Sequence, residues 1–191
     1  ERLSGDSDAR NKWVGVYIGV LAVMLAICAM GGDNAAKDAN RANIDATNNW
    51  AFFQSKNLRR QMINLRIDQM EIELAGSGGP SPEIRAATQA KLTEYQDLTK
   101  RLTSDPEKQE GLDELYAKGK SLEAERDAAL LRDPYFDWAQ ALLQIAIVLA
   151  SVSIVARSWW LLTSAGVLGI SGALLTLNGF TMWWALPWLT G

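Results

Sequence analysis

Arg59 and Arg60, with Lys56 and Arg66, form the one basic cluster in a chain that has no histidine and a single cysteine, Cys28. Cations so close on one helix can bind an anionic partner, but the simpler reading is solvated helix surface or contact with acidic residues on a helix packed alongside. Without histidine there is no His-ligated zinc, haem or chlorophyll and no imidazole general base. The remaining residues assemble no glycine-rich phosphate loop, no paired carboxylates in an apolar pocket and no nucleophile beside a base. The sequence therefore predicts no catalytic residue, no cofactor-binding residue, no metal ligand and no small-molecule substrate, and a protein that is not an enzyme. Three amides stand in otherwise apolar stretches: Gln140, Gln144 and Asn178. They could line a pore or bond to a neighbouring helix, and the second is the routine use of amides in membranes.

Those side chains must be positioned by elements whose nature the charge distribution reveals. Residues 31–134 hold fifteen of the nineteen Lys and Arg and eighteen of the twenty-two Asp and Glu, so the flanks are almost uncharged. The pattern predicts a solvated middle held between membrane spans, and a net charge of −3 gives no reason to propose a nucleic-acid partner. Seven of the eight tryptophans (Trp13, Trp138, Trp159, Trp160, Trp183, Trp184 and Trp188) lie at or near span ends, where indole rings favour the interface. After a polar tail over 1–12, residues 13–30 carry no charge and are long enough to cross a bilayer. Gly15 and Gly19 form a GxxxG pair there, a spacing that lets another helix approach closely. Arg10 and Lys12, the short apolar run and Ala29-Met30-Gly31 also fit a cleaved signal peptide; the reading adopted is a retained span. Cys28 reads as a small apolar side chain, and no disulfide can form within the chain. Residues 138–156 are a second span and 158–180 a third, the latter repeating small residues at Ala165, Gly169 and Ala173. The uncharged tail over 181–191 is expected along the interface.

Between the first and second spans the pattern is a helical hairpin over 31–134. The ascending helix is placed at 33–75, with Asp33 as its cap behind Gly31-Gly32. Its apolar seam runs through 35, 39, 42, 46, 49, 53, 56, 60, 63, 67, 70 and 74, in steps of four and three. The seam is alanine near the membrane and Ile63, Ile67, Met70 and Leu74 far from it, interrupted by Asn49, Phe53, Lys56 and Arg60. A second stripe of Leu58, Met62, Leu65 and Ile72 lies about 150° round the helix. One partner cannot cover both stripes. The expectation is that one face packs on the returning helix and the other on a neighbouring chain, although one helix of an ordinary soluble bundle would also show two apolar faces. Residues 76–81 are a turn by composition, and Ser81-Pro82-Glu83 restarts a helix. The descending arm is placed at 82–133 with a kink near 104–106; a full reversal at Pro106 would strand the next span far from the bilayer. The fold class is thus an all-α integral membrane protein with three transmembrane helices and an antiparallel, coiled-coil-like two-helix stalk of about 60 Å between the first and second.

The run Gly31-Gly32-Asp33-Asn34-Ala35-Ala36-Lys37-Asp38, continued by Trp50-Ala51-Phe52-Phe53-Gln54-Ser55-Lys56-Asn57 and Arg59-Arg60-Gln61, resembles the bacterial membrane-protein family catalogued as domain of unknown function 4337. The resemblance is specific from Trp13 to Arg60 and looser beyond; it implies a bacterial cell membrane and no particular activity. Arg2, Arg10, Lys12 and Arg157 share one side of a three-span chain, which predicts a cytoplasmic N-terminus with the stalk periplasmic. The expected function is a scaffold that self-associates through the stalk, with Leu58, Met62, Leu65, Ile72, Ile63, Ile67, Met70 and Leu74 as candidate association residues, and through small-residue faces in the membrane at Gly15, Gly19, Ala165, Gly169 and Ala173. The alternatives are an accessory subunit of a larger membrane complex and an oligomeric pore. The expected partners are the lipid bilayer and other copies of the chain.

Overall fold

The computed structural model describes residues 2–76 and 81–186, with side chains from residue 10 onward. Five helices follow one another: α1 (Arg2–Ala75), α2 (Pro82–Thr103), α3 (Leu112–Leu130), α4 (Asp133–Ala156) and α5 (Trp159–Thr181), with no strand among the described residues. Three helical stretches, Arg10–Ala75, Leu112–Ala156 and Trp159–Thr181, are long and apolar enough to cross a membrane. Residues 77–80 of the predicted turn and 187–191 of the predicted tail lie outside the described residues. The chain divides into two compact units, Glu1–Arg41 with Arg126–Gly191, and Ala42–Glu125.

In the first unit the N-terminal part of α1 packs with α4 and α5. The α4 face that packs inward is Tyr135, Phe136, Ala139, Leu143, Ala146, Ala150 and Ser153, and the α5 face is Ala165, Gly169, Gly172, Thr176 and Gly179, both in steps of three and four. Between them the core gathers Val14, Leu21, Cys28 and Ala35 from α1. The small residues let backbones approach closely, which is how helices associate where lipid is as apolar as leucine. A Cβ on Gly172 would sit 2.8 Å from Leu143 Cγ, and one on Gly179 would sit 2.9 Å from the Phe136 ring.

The helix does not restart at Asp33. Gly31 and Gly32 lie inside α1, and Asp33 is an exposed mid-helix residue rather than a cap. The physical reason lies in α4: the Phe136 ring rests on Gly31 and on Gly179, edge-on to Phe180 at a centroid distance of 5.0 Å, so the glycines make room for an aromatic ring. Pro134 likewise does not close the stalk but stands in the first turn of α4, where its missing N–H costs nothing. Two residues separate α3 from α4.

In the second unit, residues 42–75 of α1 pair with α2 and α3 in antiparallel order. Thr99 donates to Asn64 at 3.3 Å, Arg60 to Thr103 at 3.4 Å, Asn49 to the Leu115 carbonyl at 2.7 Å and Trp50 to Glu123 at 3.0 Å. The chain thus runs on past Pro106 without reversing. It does break: residues 104–111 are not a kink but a connection between two helices. Its Asp105 carbonyl accepts from the Gln109 N–H at 2.8 Å and Gln109 is left-handed at φ 56°, so the segment after Ser104 closes a single turn. Glu114 clamps the connection, accepting from the Ser104 hydroxyl at 2.7 Å and the Asp105 N–H at 3.2 Å. The Ser104 bond in particular holds the Glu114 carboxyl below its ordinary pKa. Ser81 occupies the cap position of α2, as expected, but makes no side-chain cap bond.

Candidate functional site

The seam of α1 sets the frame for any functional surface. Ala42, Ala46, Asn49 and Met70 are buried and Phe53, Lys56, Arg60, Ile63, Ile67 and Leu74 half-buried, while most positions between them are exposed. Its polar interruption has a use. Lys56 donates to the Glu110 carbonyl and pairs with the Glu110 carboxylate at 3.5 Å, and Asn49 and Arg60 donate on either side of the same connection. In the connection the Glu110 carbonyl lies outside any helix, and Lys56 of α1 donates to it. The basic cluster is therefore divided: Lys56 and Arg60 face into the unit, whereas Arg59 and Arg66 are exposed, Arg66 meeting Gln69 at 2.9 Å. It does not converge on an anion site.

Around Trp50 the seam carries an aromatic cluster that periodicity did not reveal. Trp50 meets Phe53 edge-on at 5.5 Å and Tyr116 at 5.6 Å, and Gly119 of α3 lies so close that a Cβ there would stand 2.7 Å from the indole. The signal in the sequence was the lone glycine in a helix otherwise rich in Leu, Glu and Lys, a position that argues for close approach. Beside the cluster an open groove of about 600 Å³ is lined by Asp45, Asn49, Phe52, Lys108, Glu110 and Lys118 among others. Its charges are of both signs, and it holds no nucleophile paired with a base. Among the described residues no cluster of His, Cys, Asp and Glu could hold a metal ion.

The second stripe is the unpartnered surface of this unit. Leu58, Met62, Leu65 and Ile72 are 54, 60, 69 and 73 % exposed. Ile44 at 59 % and the exposed Ala51 extend it, so Ile44, Ala51, Leu58, Leu65 and Ile72 recur every seven residues. Ile63, Ile67, Met70 and Leu74, grouped with that stripe as candidate association residues, belong to the seam inside the chain.

In the first unit, the predicted small-residue contacts divide too. Ala165 is fully buried and accepts a hydrogen bond from the Tyr17 hydroxyl at 2.9 Å, and Gly169 faces Tyr17 and Leu21. Ala173 is only half-buried, because the packed face continues through Gly172, Thr176 and Gly179 instead. The four-residue step drifts off a seam whose mean step is three and a half. Gly15 and Gly19 have no atom of the unit within 4 Å of where a Cβ would stand, so the GxxxG pair packs on nothing in this chain. Asn178 is buried and bonded within the unit. Its amide donates to the Trp184 carbonyl at 2.8 Å and accepts from the Trp184 N–H at 3.0 Å, while Tyr135 donates to the same carbonyl at 3.1 Å. This clasp ties the residues after α5 to the start of α4.

The outer faces of the membrane-spanning stretches are mostly apolar, with Val16, Val20, Val23 and Ile27 on α1, Val148 and Val155 on α4, and Val167, Ile170 and Leu174 on α5 all exposed. Arg10 and Asn11 line one small cavity with Ser158 and Trp159, which sets Arg157 and the bases before the first apolar segment at one end. Trp138, Trp183 and Trp184 are exposed, Trp184 at the clasp with Tyr135.

No curated protein and no solved structure matches this chain. Residues 10–182 match the family described as domain of unknown function, DUF4337, a stretch that takes in both units and all five helices. Covering far more than half of the chain, that match means the protein belongs to the DUF4337 family.

Proposed function

We propose that this protein is a non-enzymatic scaffold of a bacterial inner membrane, anchored by three spans and self-associating through the outer stripe of α1. The observation that carries the reading is the contrast along one helix between a seam covered by the same chain and Leu58, Met62, Leu65 and Ile72, each more than half exposed. A heptad-spaced apolar row left in water is the side of a helix that a second helix covers. Anchoring is supported by the first unit, whose apolar exterior would be untenable in water, and by exposed tryptophans near the ends of its helices. With Arg10 and Arg157 at one end, the positive-inside rule places that end in the cytoplasm and residues 42–125 in the periplasm.

The test is a Leu65→Cys variant in native membranes. Oxidation is expected to yield a disulfide-linked homodimer, with Ile67→Cys, in the covered seam, as the unlinked control. Failure of both to link while the protein purifies only with an unrelated chain would replace the scaffold with an accessory subunit.

A further inference from the structure

Most serine and threonine hydroxyls in α4 and α5 bond within their own helix. Ser151 donates to Ile147, Ser153 to Ala150, Ser164 to Trp160 and Thr176 to Gly172, each to a carbonyl of its own helix within 2.9 Å. Gln140 and Gln144, one turn apart on α4, make no hydrogen bond within the chain; Gln140 is half-buried and Gln144 exposed. Gln144 lies six residues beyond Trp138, about 9 Å along the helix, so in a bilayer its amide points out of the unit into hydrocarbon. An amide there gives up its hydrogen bonds to water and finds no replacement in hydrocarbon. Among the described residues the exposed faces of α1 and α5 at comparable depth carry no amide. The face around it is shaped for a helix, since Ala141 and Ser151 are small and exposed and Val148 lies between Gln144 and Ser151.

We infer that the Gln144 face of α4 packs on the same face of a second copy, the two Gln144 amides hydrogen-bonding to each other across a two-fold axis. The occupant follows from chemistry and depth. Copies inserted with the same orientation place Gln144 at one level in the bilayer, so in a parallel α4 pair like meets like. An amide, with one acceptor oxygen and two N–H donors, satisfies its own twin, which a carboxylate or an ammonium would not. The inference rests on the self-associating membrane reading above and assigns it a contact within the spans.

The experiment uses the full chain in native membranes. Cys28 is fully buried, so the wild type serves as the background without cross-links. Oxidation of Gln144→Cys is expected to give a disulfide-linked dimer, whereas Val167→Cys, on the exposed face of α5, gives none. Gln144→Leu is expected to weaken association roughly 3- to 30-fold in mild detergent, and Gln144→Asn to keep most of it. Equal linking at 144 and 167, or unchanged association of Gln144→Leu, overturns the inference. If Leu65→Cys links and Gln144→Cys does not, the two-fold contact within the spans is overturned and the scaffold stands; a monomer by mass overturns both.

Discussion

Gly31 and Gly15 lie in one helix, and a methyl group should have opposite effects at the two. At Gly31 it would enter the Phe136 ring, and both Gly31 and Phe136 are held in place, the ring being packed against Phe180 as well. Gly31→Ala is expected to cost about 1–3 kcal/mol, the range for overpacking a close-packed contact. At Gly15 a Cβ meets nothing, so Gly15→Ala is expected to be neutral or to stabilise by up to about 1 kcal/mol through helix propensity. Thermal unfolding of both variants in the same detergent checks the pair, and equal melting would mean that Phe136 does not sit against α1. This is also the residue that composition could not place. Gly31-Gly32 reads as a break because glycine is a poor helix former, and the ring that makes it a contact comes from a distant part of the chain.

The seam was legible because a helix covered on one side repeats its apolar positions every three and four residues, and from 35 to 74 the buried and half-buried positions follow that rhythm. The rhythm could not show where the partner ends. Lys56 and Arg60 interrupt the seam where α2 gives way to the connection over 104–111, whereas Asn49 bonds to α3, so polarity in the seam marks the places where it bonds to the facing segments of the chain. In α5 the step of four through Ala165, Gly169 and Ala173 leaves the packed face at Ala173, and that face continues through Gly172, Thr176 and Gly179, because a glycine-rich helix offers small residues on more than one face. The two stripes of α1 make separate predictions. Ile67→Asp sets a carboxylate in the covered seam and is expected to lower the stability of the hairpin by about 2–3 kcal/mol. Leu65→Asp, on the exposed stripe, is expected to leave the melting of the monomer unchanged while abolishing association. Circular-dichroism melts with mass measurements separate these outcomes; loss of stability in Leu65→Asp would mean that the outer stripe is covered within the chain.

At the scale of the molecule, the two units have different surfaces. The first exposes valine, isoleucine and tryptophan on helices whose hydroxyls bond internally, a surface suited to lipid. The second exposes charge, with ion pairs such as Lys91–Glu94 and Lys120–Glu123 on its helices, and a heptad-spaced apolar row on α1. Such exposed pairs add little stability and chiefly keep the unit soluble. That leaves the row as the feature that solubility does not explain. The measurement that bears most directly on it is the mass of the full chain in a mild detergent, by native mass spectrometry, beside Leu65→Asp. A closed homo-oligomer that becomes a folded monomer in the variant is the predicted result. A wild-type chain that is itself monomeric in conditions preserving its fold would contradict the account.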